Sequence, residues 1–276
     1  MMVLCVAGKN NIAVDVAEYL YRLRLEESQL CVVCNQGDSG TDTWQKSLRG
    51  WAREHSVRDV ELESLYELDD LIFLSLQFDR IIKPDKFRSK RLYNIHFSLL
   101  PKYKGCHTAV LPILQGEKYV GVTLHMIDHG IDTGDIIAQK KFLLKDKYTS
   151  EDLYLEYIHY GTQLVIQNID NILEGNVVSY PQESRNSTYY PKEYIDYKNP
   201  CIRLKDTAEG VLRQIRAFSF PQYQLPVVNG NIISRGEITG NRSTMKAGTI
   251  IQETFSEILL ATVDYDVILY KNKQKE

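Results

Sequence analysis

The first 76 residues alternate short apolar runs with segments of helical periodicity, and this alternation narrows the fold more than any other feature of the chain. Residues 3–7 (VLCVA) make an apolar run that ends at Gly8-Lys9-Asn10-Asn11, after which Ile12, Val16, Tyr19, Leu20 and Leu23 recur at helical spacing. Residues 30–34 predict a second strand, 44–55 a second amphipathic helix and 71–76 a third strand. Such a succession implies parallel strands joined by crossover helices, so the expected class is α/β with a Rossmann-like, mostly parallel sheet. A dinucleotide site is not expected, because the turn after Gly8 lacks the second and third glycines that let a backbone approach a pyrophosphate.

The chemistry gathers in residues 92–136. Tyr93 and Ile95 alternate with Asn94 and His96, so on a strand over 92–97 the amide and the imidazole share a face. Pro101 has no N–H for a ladder, and Lys102-Tyr103-Lys104-Gly105 reads as a flexible basic turn. A helix over 107–115 fits Ala109, Val110, Ile113 and Leu114 on one side, with Pro112 keeping it short or kinked. A strand over 120–127 follows. Asp128-His129-Gly130-Ile131-Asp132-Thr133-Gly134-Asp135 then sets glycines and aspartates between apolar runs, which calls for a tight turn rimmed by carboxylates. Asp132 is the carboxylate expected against His96. Beyond it come a strand over 136–144 and a long helix over 150–173, with Thr149 and Ser150 as candidate caps and Gly175 as the stop. An amide that stabilises an oxyanion, an imidazole that takes a proton and a carboxylate that orients it suffice for acyl transfer onto an amine.

Alone, an N-x-H on a strand is more often buried structure than a catalytic pair. The longer string N-I-H-F-S-L-L-P-K-Y-K-G, followed by G-V-T-L-H and I-D-T-G-D-I, resembles the signature of the 10-formyltetrahydrofolate-dependent formyltransferases, over roughly residues 3–175. The resemblance implies that Asn94, His96 and Asp132 are catalytic and that 10-formyltetrahydrofolate is the co-substrate. The segment from Ser75 to Pro84, leaving the strand over 71–76, is similar to the family's folate-pocket segment. This assigns Gln77, Phe78 and Ile82 to the folate, with Asp128 and Gly130 in the turn opposite. Phe78 and Ile82 stay open between pocket and core, since both environments use apolar residues. His125 and His129 make an H-x-x-x-H, but one sits on a strand and the other in a turn. No metal site is expected.

A formal net charge of −3 over 276 residues gives no electrostatic case for nucleic acid as a partner. Cys5, Cys31, Cys34, Cys106 and Cys201 are odd in number and scattered, so no disulfide framework is expected and the cytosol is the natural compartment. Cys31-Val-Val-Cys34 lies in an apolar run without a second pair and reads as buried strand. The chain opens without a basic leader, and no run approaches the ~18 apolar residues of a membrane span, so a soluble, unprocessed, cytoplasmic protein with no membrane partner is expected.

Residues 179–200 are rich in Ser, Asn, Tyr and Pro without periodicity and read as a connector, within which Tyr189-Tyr190-Pro191-Lys192 resembles a stretch beyond the family's catalytic domain. A helix over 207–218 and short apolar runs separated by turns such as Asn229-Gly230 predict a small antiparallel β unit. The expected division is thus a catalytic domain over 1–178, a connector over 179–203 and a C-terminal unit over 204–276. Among the family's acceptors, the tRNA enzymes carry a larger C-terminal barrel and basic surface, and the glycinamide ribonucleotide enzymes a Gly/Ser-rich loop after the first strand. Here the region after Leu204 is short, the chain is slightly acidic, and Gly8-Lys9-Asn10-Asn11 is not such a loop, so neither acceptor is expected. The string Ile215-Arg216-Ala217-Phe218-Ser219-Phe220-Pro221-Gln222-Tyr223 looks like the nucleotide-proximal segment of the sugar N-formyltransferases. The resemblance favours a nucleotide-linked amino sugar as partner, a thymidine diphosphate 3- or 4-amino-dideoxyhexose, in surface polysaccharide biosynthesis such as lipopolysaccharide O-antigen. Phe220 and Tyr223 would then serve the base, and Arg216, Lys102, Tyr103 and Lys104 the acceptor's charged and polar groups. Methionyl-tRNA formyl transfer and formyltetrahydrofolate hydrolysis stay open as alternatives, as does a homodimer.

Overall fold

The structure is a computed structural model that describes residues 2–23, 30–197 and 202–272. Residues 198–200 at the end of the expected connector, Cys201 and residues 273–276 lie outside the described residues. In chain order the elements are β1 (Val3–Gly8), α1 (Asn10–Arg22), β2 (Leu30–Cys34), α2 (Leu48–Glu54), β3 (Arg58–Asp59), β4 (Leu71–Leu76), β5 (Arg91–His96), β6 (Lys104–Gly105), α3 (Leu111–Leu114), β7 (Tyr119–Met126), β8 (Ile136–Leu143), α4 (Ser150–Glu174), β9 (Tyr189–Tyr190), α5 (Ala208–Ala217), β10 (Val227–Val228), β11 (Asn231–Arg242), β12 (Ile250–Glu253), β13 (Glu257–Leu260) and β14 (Tyr265–Lys271). They form two compact units that interleave along the chain: the described residues of Met1–Cys106, Gly121–Phe142 and Glu156–Tyr190 make one, and those of His107–Val120, Leu143–Leu155 and Pro191–Glu276 the other.

The first unit is built on a seven-stranded sheet ordered β3-β2-β1-β4-β5-β7-β8. Strands β1 to β5 run parallel, whereas β5 and β7 pair antiparallel. Between them the chain carries β6 and the single turn of α3. The expected α/β, mostly parallel class is what the chain forms. Its central strands read as continuous apolar runs because both faces are covered: every residue of β4 is buried. Gly8 has φ +153, and a Cβ there would lie 1.8 Å from the Leu76 carbonyl oxygen, so only glycine lets the ends of β1 and β4 close. Cys31 sits buried on β2, register partner of Cys5 on β1.

Two helices are shorter than the sequence predicts, each for a local reason. Residues 44–47 do not join α2, because Ser47 turns out of the helix to cap it, accepting from Gly50 N at 2.9 Å, and Asp38 in the preceding loop binds Ser47 Oγ and Arg49 N. In the second unit α3 begins only at Leu111. His107 has φ +66, and its ring is held by the Tyr197 hydroxyl (2.9 Å) and the Pro191 and Lys192 carbonyls (3.1 and 3.0 Å). Of the two candidate caps of α4, Thr149 acts: its N and Oγ1 donate to Asp152 Oδ2, and its Oγ1 accepts from Asp152 N. Ser150 instead is buried and donates to the Ser219 carbonyl. Gly175 ends α4 with φ +76.

In the second unit a five-stranded antiparallel sheet, β10-β11-β14-β13-β12, buries Ile233, Ile258, Leu260, Val267 and Leu269 against Val211, Leu212 and Ile215 of α5. Asn229 and Gly230, with φ +49 and +74, make the tight hairpin turn between β10 and β11 that their sequence predicts. β11 runs nine residues beyond the apolar stretch that marks its start, because pairing with β14 satisfies a strand whose own side chains are polar. Among the described residues no helix is long and apolar enough to cross a membrane.

Candidate active site

Asn94 and His96 stand two residues apart on β5, and the register of the β5–β7 pair sets His125 directly beside Asn94. The turn after β7 brings in Asp132. His96 Nδ1 lies 3.4 Å from Asp132 Oδ2, which also accepts from Gly105 N at 2.9 Å. Asn94 Nδ2 donates to Asp132 Oδ1 at 3.4 Å and lies 3.0 Å from His125 Nε2. The Tyr103 carbonyl accepts only, so His96 Nε2, 2.7 Å away, carries a proton and donates to it. The amide, imidazole and carboxylate that the sequence pairs across 38 positions therefore form one connected cluster.

Backbone strain accompanies this cluster. Asp132, Tyr103 and Gln77 have φ of +55, +58 and +60, left-handed values that non-glycine residues adopt at a cost. The turn is braced from behind by Gln182, whose Nε2 donates to the carbonyls of Asp132 (2.9 Å) and Gly134 (2.8 Å). β6 is held by β9, with Lys104 paired to Tyr189 and Gly105 to Tyr190, so the stretch read as a plain connector contributes to the site's frame.

Electrostatically, Asp132 is the focus. Burial alone would raise its pKa, but the charge on His96, the neighbouring His125 ring and the hydrogen bond from Gly105 outweigh burial and hold the carboxyl well below the usual carboxylate range. A group depressed in the folded state contributes stability above its unfolded pKa of about 3.9, and loses that contribution as the pH falls toward the folded value. Asp132→Asn is therefore expected to lower stability near neutrality, with the deficit against the parent shrinking as the pH drops below about 4. Denaturant unfolding across that interval checks it; a gap independent of pH would show that the Asp132 charge is not what stabilises.

Asn94, His125 and Asp132 open onto a cavity of about 190 Å³. Phe78, Ile82, Asp128 and Gly130, four residues that the resemblance assigns to the folate, line it as well. Gln77 does not line it; its carbonyl accepts from Asn35 Nδ2 at 3.0 Å. Ile81, 75% exposed at the rim, and Ile131 extend the apolar wall and were not singled out from the sequence. Nor does His96 line this cavity; it is buried and reaches it through Asp132, which does. Phe78, Ile81, Ile82, Ile127 and Ile131 share the lining with Ser75, Arg80, Asn94, His125, Asp128 and Asp132, a mixture of apolar faces and polar edges that suits a flat heteroaromatic ring such as a pterin. Asp128 Oδ1 is taken up within its own turn, accepting from Gly130 N and Thr133 Oγ1.

The acceptor candidates fall in both units. In the first, Lys102 is exposed, Lys104 is buried, and Tyr103 is buried with its ring stacked on Tyr190 at 5.9 Å. In the second, Phe220 is buried between Tyr154 and Tyr223, with ring centroids at 5.6 and 4.8 Å, while Tyr223 is 61% exposed. Arg216 is engaged by Glu209 at 2.7 Å, in a small cavity that Arg213 and Lys145 share. Among the described residues no group of three or more His, Cys, Asp or Glu side chains is arranged to hold a metal ion.

A Rossmann-like α/β unit with Asn, His and Asp gathered beside an apolar slot defines a group-transfer class of site. The formyl transferase family model matches residues 42–169. WlaRD, a sugar 3N-formyltransferase whose crystal structure was determined in the presence of dTDP and 5-N-formyl-THF, superposes with a TM-score of 0.93 at 38% identity, over 100% of this chain and 99% of that one. An N-formyltransferase from Helicobacter canadensis, in complex with folinic acid and dTDP-3-aminofucose, gives 0.92 at 40% identity, over 99% and 100%. Among curated proteins, a methionyl-tRNA formyltransferase of Caldanaerobacter subterraneus is 28% identical over 158 residues, 54% of this chain and 51% of that protein. The chain thus spans about half the length of that curated relative. The chain belongs to the formyl transferase family.

Proposed function

We propose that the protein transfers a formyl group from 10-formyltetrahydrofolate to the amine of a dTDP-linked 3-amino-dideoxyhexose. The observation that carries this is similarity along essentially the whole chain, at 38 and 40% identity, to two N-formyltransferases whose structures involve a formyl-folate together with dTDP or dTDP-3-aminofucose. Methionyl-tRNA formyltransferases are matched at lower identity, 27 to 33%, and over 44 to 70% of their own length, and a net charge of −3 offers little to a polyanion. Such a product suits lipopolysaccharide or O-antigen assembly, with synthesis in the cytoplasm.

The co-substrate supplies the formyl group, and its ring fits the slot of Phe78, Ile82 and Ile127 beside Asn94 and Asp132. Asn94 offers an N–H to the formyl oxygen as charge builds there, an interaction whose strength grows in the transition state. Asp132 and His96 act as a pair: the carboxylate faces the cavity and the imidazole stands behind it, so the proton leaving the attacking amine is received by the pair rather than by His96 alone. In this reading the first unit holds the donor and catalytic groups, and Tyr223 of the second, 61% exposed, offers an aromatic surface for the base.

The test supplies 10-formyltetrahydrofolate with dTDP-3-amino- and dTDP-4-amino-dideoxyhexoses, UDP-amino sugars and methionyl-tRNA in parallel, following tetrahydrofolate release and product mass. Formylation of the dTDP-3-amino sugar at the highest kcat/KM is expected. Transfer to methionyl-tRNA alone, or tetrahydrofolate release without any acceptor, overturns the reading.

A further inference from the structure

His125 is buried, 3% exposed, titratable and in contact with the proposed chemistry, yet that chemistry gives it no task. Its Nδ1 lies 2.7 Å from the carbonyl oxygen of Met126. A carbonyl only accepts, so Nδ1 carries a proton and, in the neutral ring, Nε2 presents a lone pair. That lone pair meets Asn94 Nδ2 at 3.0 Å; Asp132 Oδ1, at 3.6 Å, is beyond hydrogen-bonding distance of the same nitrogen.

We infer that His125 is a positioning residue that fixes which way the Asn94 amide faces, by accepting one of its two N–H groups and so holding the other toward the reaction centre. The two ends of an asparagine amide are nearly isosteric, and only the neighbours decide between them. On one side stands the lone pair of His125, pinned by Met126; on the other stands Asp132, whose oxygen takes the second N–H at 3.4 Å. Both select the orientation with Nδ2 inward. The longer and weaker contact, the one to Asp132, is the one that can be exchanged for a developing oxyanion, while the shorter contact to His125 keeps the amide from turning over. Were Nε2 protonated, the amide would reverse to offer Oδ1, and an acceptor would face the formyl oxygen.

This deepens the proposed function and rests on it for the role of Asn94. His125→Leu keeps comparable bulk without an acceptor, whereas His125→Gln sets a terminal amide oxygen near the place of Nε2. The expected result is a kcat for the leucine variant lowered by about 10²-fold, the loss typical of one missing oxyanion donor, with KM for both substrates unchanged, and recovery of most of that turnover in the glutamine variant. Equal losses in the two variants, a loss confined to KM, or full turnover in the leucine variant overturns the inference. Long-range ¹H–¹⁵N spectra of the parent supply a readout that needs no turnover: His125 should appear as the Nδ1–H tautomer. The Nε2–H tautomer or the imidazolium at neutral pH overturns the inference even if formyl transfer is found. A parent that formylates no amino sugar refutes the proposed function, and the tautomer then still decides what holds Asn94. If the leucine variant fails to fold, the glutamine variant and the spectra decide.

Discussion

Replacing His96 with asparagine is expected to leave a folded protein whose formyl transfer drops by roughly 10²- to 10⁴-fold, the usual worth of a positioned general acid–base group. His96 is buried, with Nε2–H donating to the Tyr103 carbonyl and Nδ1 facing Asp132 Oδ2. Asparagine can place an amide N–H where Nδ1 stands and keep the contact to Asp132, but it cannot take up a proton. It also falls short of Tyr103, and a buried carbonyl left without its donor costs about 1–3 kcal/mol. A modest fall in melting temperature should therefore accompany a large fall in kcat. Steady-state kinetics beside a thermal melt separate the two. Turnover within a few fold of the parent would remove His96 from the proton path and leave Asp132, the member of the pair that lines the cavity, as the base.

How far the site could be read in advance depended on how local its determinants are. Asn94 and His96 share a face because they are two residues apart on a strand, and the glycines around Asp132 announce a turn, so period and turn chemistry sufficed for both. His125 escaped because the H-x-x-x-H spacing to His129 invited a test for zinc, and failing that test left the residue with no role. Its true signal is cross-strand. Once the strands over 92–97 and 120–127 are paired antiparallel, the register puts His125 opposite Asn94. Gln182 and Tyr103 act in ways that spacing does not encode, one by bracing the carbonyls of Asp132 and Gly134, the other through its own carbonyl. Arg216 and Phe220 show the converse. Arg216 is engaged by Glu209 two turns back on its own helix, and Phe220 packs between Tyr223 and Tyr154, the last far enough along the chain that only packing reveals it. Helix ends fall short of the periodic pattern where a loop residue competes with the helix, as Asp38 does ahead of α2.

Gly134→Ala is expected to cost about 10²-fold in turnover while costing only about 1–3 kcal/mol in stability, the range for an overpacked site. A Cβ on Gly134 would lie 1.9 Å from the Met126 carbonyl oxygen and 2.7 Å from its carbon, and both belong to backbone at the end of β7. Neither side can yield by a side-chain rotation. The turn must therefore move away from β7, which loosens the bond from Met126 N to the Asp135 carbonyl (2.9 Å) and the brace from Gln182 to Gly134 (2.8 Å). Asp132, two residues upstream and already at φ +55, has little freedom to absorb the shift without drawing its carboxylate away from His96 and Gly105 N. A displacement near 1 Å at a catalytic group is enough for a loss of about 10²-fold. The fold should survive, since the seven-stranded sheet and its buried strands do not pass through this turn. Comparing kcat with the unfolding midpoint distinguishes the cases. A variant as unstable as it is inactive would mean that the turn holds the unit together; one that keeps full turnover would mean that Asp132 need not stand where the structure puts it.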